Sequence, residues 1–172
     1  MKRAFVLLIV LIGFGVIAQA SLRITDFQSA IVLEQSGELT VTETIGVTFF
    51  SPHHGIERWI PVSYRRPTGE RITIGLKVTG VTLDERSVPY TVRSRGGSVY
   101  IRIGDPDLTI TGDHTYTISY TVSRALLFHA DYIQLYWNVT GNEWSIPIDH
   151  ATAVLTLPSG IDPAHVSTTS YV

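Results

Sequence analysis

Apolar residues occupy every second position in one segment of this chain after another. The clearest segment is 38–50, where apolar odd positions alternate with residues that are mostly threonine. This two-residue period places neighbouring side chains on opposite faces of an extended strand. Similar alternation occurs at 72–83, 115–122 and 151–157, with a change of phase at Gly80 that predicts a β-bulge. Many short strands separated by polar turns predict an all-β fold. We expect a two-layer antiparallel β-sandwich, immunoglobulin-like in general architecture.

The segment 131–148 contains two of the three tryptophans and is the predicted core nucleus. Its odd positions from 133 to 139 are apolar, as in a half-buried strand. Gly141-Asn142 fits a two-residue hairpin turn, because glycine can adopt the positive φ that such turns require. Two pairs should then face each other on the same side of the hairpin: Val139 with Trp144, and Trp137 with Ile146.

Glu43 interrupts the apolar face of the 38–50 strand because its position has the same parity as the apolar residues. An unbroken strand would bury this carboxylate, which is costly unless the group is paired or hydrogen-bonded. Arg58 lies between Ile56 and Ile60 and is the partner we expect, since a guanidinium can bind a carboxylate through two donors. A buried pair is expected to be structural, and would become a candidate ligand site only if it opened onto a cleft. The alternative is a β-bulge that turns Glu43 outward.

The first 20 residues have the features of a signal peptide. Lys2-Arg3 precedes an apolar or glycine run from Ala4 to Ile17, and Ala18-Gln19-Ala20 has the small-x-small pattern recognised by signal peptidase. The run is shorter than the roughly 18 residues that cross a bilayer comfortably. We therefore predict cleavage before Ser21 and export, with a retained N-terminal anchor as the alternative.

The remaining chain, 21–172, is expected to form one domain without disulfides, since it contains no cysteine. Without Lys2 and Arg3 it carries 11 basic and 15 acidic residues, a formal charge of −4. This balance argues against nucleic acid or anionic lipid as a partner, because both require a basic surface. The sequence also lacks a glycine-rich phosphate loop, and no cofactor is predicted.

Neither the histidines nor the clustered aspartates have the spacing of metal ligands, so no metal site is predicted. His53 and His54 are adjacent and would point to opposite faces of a strand, and the other histidines are scattered. Asp105, Asp107 and Asp113 lack the turn glycine and the bidentate glutamate of a calcium loop.

Asp149-His150 near Ser145 resembles part of a catalytic triad only superficially. The chain contains no Gly-x-Ser-x-Gly elbow, and neighbouring strand residues cannot converge on one hydroxyl. No catalytic residue is therefore predicted, and a hydrolase is the third of three functional hypotheses.

Aromatic residues are candidates for a binding surface. Trp59, Tyr132 and Tyr136 could form a platform for a sugar or peptide, or could cover the edge of the sandwich. The three tryptophans, Trp59, Trp137 and Trp144, are assigned either to the core or to an aromatic surface.

Five motifs, in order, resemble the N-terminal extracytoplasmic domain of the bacterial membrane proteins of domain-of-unknown-function family 2207. They occupy 37–43, 54–61, 101–105, 112–122 and 135–148. Each motif is short, but their order and spacing make the resemblance specific. It implies a signal sequence, a β-rich outer domain, transmembrane helices and a cytoplasmic tail, and it implies no established activity.

The resemblance also implies that such proteins continue beyond Val172. We therefore expect a fragment or a truncated secreted relative, with an open sheet edge near 151–157 that invites self-association. The functional hypothesis is a non-enzymatic domain on the extracytoplasmic side of the cell membrane, acting in interaction or sensing. Its expected partners are the membrane, through a segment outside this chain, and an envelope protein. The alternative is a carbohydrate- or peptide-binding module.

Overall fold

The structure is a computed structural model that describes residues 21–65 and 69–170. The predicted signal peptide lies outside the described residues. Thirteen strands and one short 3-10 helix, Pro163–His165, form the described part of the chain. The strands are β1 (Leu22–Leu33), β2 (Leu39–His53), β3 (Ile56–Pro61), β4 (Ser63–Arg65), β5 (Arg71–Thr73), β6 (Gly75–Leu83), β7 (Arg86–Ser87), β8 (Tyr90–Arg95), β9 (Ser98–Ile103), β10 (Ile110–Ser123), β11 (Leu126–Phe128), β12 (Ile133–Leu135) and β13 (Ala151–Thr156).

The larger layer is a six-stranded sheet with the order β13-β1-β2-β10-β6-β7. Its centre is formed by β1, β2 and β10, which pair antiparallel over most of their length. Burial alternates along β2 from Leu39 to Phe49, as the two-residue period predicts. The bulge is also confirmed: between β10 and β6 the register passes from Ser119 opposite Gly80 to Tyr120 opposite Val78.

The second layer is a three-stranded antiparallel sheet with the order β3-β9-β8. Alternate residues of β9, which are Val99, Ile101 and Ile103, are buried in the same core as the inward residues of β1, β2 and β10. Two small two-stranded sheets, β4-β5 and β11-β12, complete the fold. The all-β prediction is confirmed, and the core lies between the two main sheets.

The predicted antiparallel arrangement fails at one edge. β13 pairs with β1 in parallel, with Phe27 opposite Ala151 and Ile31 opposite Leu155. An isolated parallel bridge between Ile24 and Ile148 precedes this ladder. Local sequence could not reveal this pairing, because the two strands are more than a hundred residues apart in the chain.

The predicted hairpin at 131–148 is wrong. Only Ile133–Leu135 forms a strand there, and it pairs with β11. The backbone around Gly141 is bound by side chains instead of by a facing strand. The Gly141 N–H donates to Asn138 Oδ1 at 2.9 Å, and Trp144 Nε1 donates to the carbonyl of Thr140 at 2.8 Å. The segment therefore packs as an irregular loop against the core.

Candidate functional site

The structure brings Glu43 and Arg58 together across the two layers. Arg58 Nε donates to Glu43 Oε2 at 2.8 Å, and Arg58 Nη2 donates to Glu43 Oε1 at 2.7 Å. Glu43 lies in β2 and Arg58 in β3, and both side chains are almost wholly buried, with 0% and 1% exposed. The outward bulge that was the alternative does not occur, since β2 keeps its alternation through Glu43.

The remaining donors of Arg58 hold the irregular loop. Nη1 donates to the carbonyls of Trp59 and Thr140 at 2.9 and 2.6 Å, and Nη2 donates to the carbonyl of Val139 at 3.1 Å. A guanidinium has five N–H groups, and all five are used here. The guanidinium carbon also lies 5.2 Å from the ring centroid of Phe27 and 5.8 Å from that of Trp144. The side chain of Arg58 therefore contacts the larger sheet, the irregular loop and the core at the same time.

Tyr120 completes this buried cluster, which consists of Glu43, Arg58 and Tyr120. Its hydroxyl donates to Glu43 Oε1 at 2.7 Å. Burial would lower the pKa of Arg58, but the adjacent Glu43 carboxylate more than offsets this, and the pKa lies above its ordinary value. Burial, and then the Glu43 charge, raises the pKa of Tyr120 well above its usual range. The arginine thus stays charged and the tyrosine stays neutral, in a cluster closed to external ligands.

The tryptophans divide between core and surface. Trp137 and Trp144 are partly buried against the core, and the Trp137 ring stacks on Tyr120 with centroids 6.4 Å apart. Trp59 alternates with the buried Arg58 and Ile60 along β3, so it lies on the outward face of the three-stranded sheet.

The three residues considered for an aromatic platform each contact a different aromatic ring. Trp59 contacts Tyr100, Tyr136 contacts Tyr64, and Tyr132 stacks on His129. The three residues thus belong to three separate aromatic pairs. The sequence did not predict these pairs, because it does not show which residues become neighbours in the sheets.

The candidate catalytic and metal-binding residues lie in ordinary surface contacts. Asp149 is bound by Arg23, with Nη2 2.7 Å from Oδ1. His53 and His54 each place Nδ1 near a backbone carbonyl, of Ser51 and Leu108 respectively. Within residues 21–65 and 69–170, no three histidine, aspartate or glutamate side chains cluster so as to hold a metal ion.

Sequence reasoning missed two members of the site, Tyr120 and Gly141. Tyr120 shares its parity with Tyr116, Ile118 and Val122, which marks it as inward-facing, but parity alone does not identify Glu43 as its partner. Gly141 has a φ of +79°, and a Cβ there would lie 2.6 Å from Arg58 Nη1. Arg58 therefore leaves no room for a side chain at position 141, whereas the sequence suggested only that a hairpin turn requires glycine there.

Comparison with known proteins identifies relatives over most of the chain. Residues 23–171 match the family described as predicted membrane protein (DUF2207) N-terminal domain. The uncharacterized protein YciQ of Escherichia coli (strain K12) is 31% identical over 128 residues, which are 73% of this chain and 20% of YciQ. The chain thus spans about a fifth of the length of this curated relative. In the part of the chain that the structure describes, no helix is long and apolar enough to cross a membrane.

Solved structures resemble the chain more distantly. An M1 zinc metallopeptidase of Deinococcus radiodurans bound to a Tyr-Ser-Ala substrate is 12% identical, with a TM-score of 0.46 over 80% of this chain and 32% of the peptidase. Leukotriene A4 hydrolase from Saccharomyces cerevisiae is 13% identical, with a TM-score of 0.41 over 59% of this chain and 15% of the hydrolase. Likeness at this level carries no argument about activity.

Proposed function

The chain belongs to the predicted membrane protein (DUF2207) family, and from this premise we propose that it is a non-enzymatic interaction domain on the extracytoplasmic side of the membrane. Its interaction surface is the open edge of the six-stranded sheet at β13. The partner is an extended segment of another envelope polypeptide, which adds a strand to this edge.

The exposure of β13 is the observation that carries this proposal. Every residue of the strand is exposed, including Val154 at 58% and Leu155 at 41%. Residues on an edge strand of a closed domain are normally covered on at least one face or protected by charge. β13 contains no charged residue, and within the described residues only β1 pairs with it.

The backbone of β13 is also suited to strand addition. Phe27 N–H donates to the carbonyl of His150 at 2.9 Å, which sets the ladder between β1 and β13. In a parallel pair of strands, the N–H and C=O groups of every second residue bond to the neighbouring strand, and those of the residues between them point to the opposite side. The N–H and C=O groups of Ala151, Ala153 and Leu155 therefore point to the open side, where a partner strand would find them.

Cysteine labelling in cells tests both parts of the proposal, because the chain has no cysteine of its own. Ala153→Cys lies on the open edge, and Lys77→Cys is an exposed control on β6. A membrane-impermeant maleimide should label the control in intact cells and label position 153 much more slowly. In the purified full chain both positions should react at similar rates.

Three outcomes would contradict this proposal in different ways. A control cysteine that reacts only after the cells are permeabilised would place the domain in the cytoplasm. Equal labelling of both positions in cells would leave the edge without a partner. Protection of position 153 that appears in the purified chain as its concentration rises would assign the edge to a second copy of the same domain.

A further inference from the structure

The outward face of the three-stranded sheet combines aromatic rings with arginines. Trp59 in β3 lies opposite Tyr100 in β9, with ring centroids 4.5 Å apart. The guanidinium carbon of Arg95 lies 5.7 Å from the Trp59 centroid. Arg93 lies opposite Tyr100 from the other side, and Arg102 is exposed on the same face.

A cleft of about 420 Å³ lies beside this face. It is lined by Ser63, Tyr64, Arg65, Arg71, Gly96 and Gly97. Arg65 and Arg71 are direct cross-strand partners of β4 and β5, and both are exposed. Like charges directly opposite each other destabilise a strand pair. An anion between the two guanidinium groups would remove this repulsion.

The glycine turn of the β8–β9 hairpin joins the cleft to the aromatic face. Val62 N–H and Ser63 N–H donate to the carbonyl of Gly97 at 2.9 and 3.0 Å. Gly97 has a φ of +84°, and a Cβ there would lie only 3.1 Å from Ser63 Cβ. The turn that follows Arg95 is thus fastened to β4. The cleft therefore adjoins the turn between β8 and β9, and the cleft together with the outward face of the three-stranded sheet is called here the arginine-aromatic face.

The charge of this face differs from that of the whole chain. Glu57 is the only acid among the exposed charged residues of β3, β4, β5, β8 and β9. The other five are arginines, which are Arg65, Arg71, Arg93, Arg95 and Arg102. The Glu57 carboxylate accepts a hydrogen bond from Tyr100 at 2.7 Å, and Glu70 directly precedes β5. This face is therefore locally basic although the net charge of the chain is negative.

Arg71 has unused binding capacity. Its side chain makes no hydrogen bond or ion pair with any residue in 21–65 or 69–170, and the side chain of Arg65 donates one bond in this part of the chain, to the carbonyl of Gly69 at 3.2 Å. Planar guanidinium groups bind carboxylates or phosphates through paired donors. Aromatic rings beside them offer a flat apolar surface to a ring-shaped partner.

We propose that the arginine-aromatic face binds an anionic glycan, with acid groups in the Arg65–Arg71 cleft and sugar rings along Trp59 and Tyr100. A neutral sugar would leave the guanidinium groups unpaired. A lipid surface fits less well, because binding at the membrane interface buries an apolar face among the headgroups, whereas Trp59 and Tyr100 are only partly exposed. This site is separate from the β13 edge and does not depend on it.

Binding of matched polymers to the full chain tests this proposal. Carboxymethyl-dextran and unmodified dextran of the same length share a sugar backbone and differ in charge. Calorimetry should show binding of the carboxymethyl form that weakens with salt, and at least about ten-fold weaker binding of dextran. R65Q combined with R71Q should lower the affinity about ten-fold, with a melting temperature that is unchanged or slightly higher, since both side chains are exposed and their mutual repulsion is removed.

The double variant K77Q with R86Q provides the matched control. It removes the same number of charges from exposed positions of the other sheet. Loss of affinity equal to that of the cleft variant would show diffuse attraction and would overturn the proposal. Failure to bind carboxymethyl-dextran would also overturn it. Binding to phosphatidylglycerol vesicles in the absence of glycan binding would reassign the face to a lipid surface.

Discussion

Arg58 holds both oxygens of Glu43 through two parallel hydrogen bonds of 2.8 and 2.7 Å, in a cluster that solvent does not reach. Taking both charges out of water is costly, and their attraction offsets that cost only when the geometry is good and the remaining donors are satisfied. Here the other N–H groups of Arg58 bind the carbonyls of Trp59, Val139 and Thr140. The pair therefore fixes the position of β3 and the 139–144 loop on the larger sheet.

Removing either partner of this pair should destabilise the fold strongly. Glu43→Gln and Arg58→Met should each lower the free energy of unfolding by about 3–5 kcal/mol, because one buried charge loses its partner. Urea denaturation measures this change. Arg23→Met breaks the exposed pair with Asp149 and serves as the control, with an expected cost below about 1 kcal/mol. A Glu43→Gln cost as small as that of the control would contradict the structural role.

The two inward tyrosines of β10 should respond differently to loss of their hydroxyl groups. Tyr120 donates to Glu43 at 2.7 Å, whereas the buried hydroxyl of Tyr116 has no hydrogen-bond partner among the described residues. Tyr120→Phe should cost about 1–3 kcal/mol, since a charged acceptor loses a bond. Tyr116→Phe should be neutral or stabilising. Thermal and urea unfolding of both variants would test this difference, and equal costs would contradict it.

Side-chain parity predicted a large part of this arrangement. The strict alternation of β2 fixes which residues face inward, and Glu43 is conspicuous because it breaks the apolar pattern without breaking the parity. Arg58 is similarly conspicuous between Ile56 and Ile60. Both signals are local, so they are visible in sequence, and the chemistry of the two groups suggests that they pair.

The errors arose where non-local contacts override local patterns. The sequence around Gly141 has the composition of a hairpin, but Arg58 and the side chains of Asn138 and Trp144 bind the polar groups that a hairpin ladder needs. The parallel pairing of β13 with β1 depends on strands that are distant in sequence. The arginine-aromatic face also escaped notice, because it is assembled from five short strands.

Gly141 should tolerate alanine much less well than a glycine with similar φ and free space. Gly141→Ala would place a Cβ 2.6 Å from Arg58 Nη1 and 3.0 Å from the Trp59 carbonyl, both of which are fixed by hydrogen bonds. Gly160 has a φ of +94°, and a Cβ there would have no atom within 4 Å, so Gly160→Ala reports backbone strain alone. Gly141→Ala should cost about 1–3 kcal/mol more than this control in urea unfolding. Equal costs would mean that the loop moves freely away from Arg58.

Alkaline pH should destabilise the fold through its buried tyrosines. Burial, followed by the neighbouring Tyr136, raises the pKa of Tyr64 to about 12, and burial also raises the pKa of Tyr116 and of Tyr120. In the unfolded chain these groups ionise near pH 10. Between about pH 10 and 12 the unfolded chain therefore loses protons that the folded domain retains, which favours unfolding. The free energy of unfolding should stay level with respect to these groups below pH 9 and fall above pH 10, as urea titrations across this range would measure. Tyr64→Phe should make the fall shallower. A wild-type profile that stays flat to pH 12 would contradict the prediction, because it would show that these tyrosines ionise as readily in the folded state as in the unfolded one.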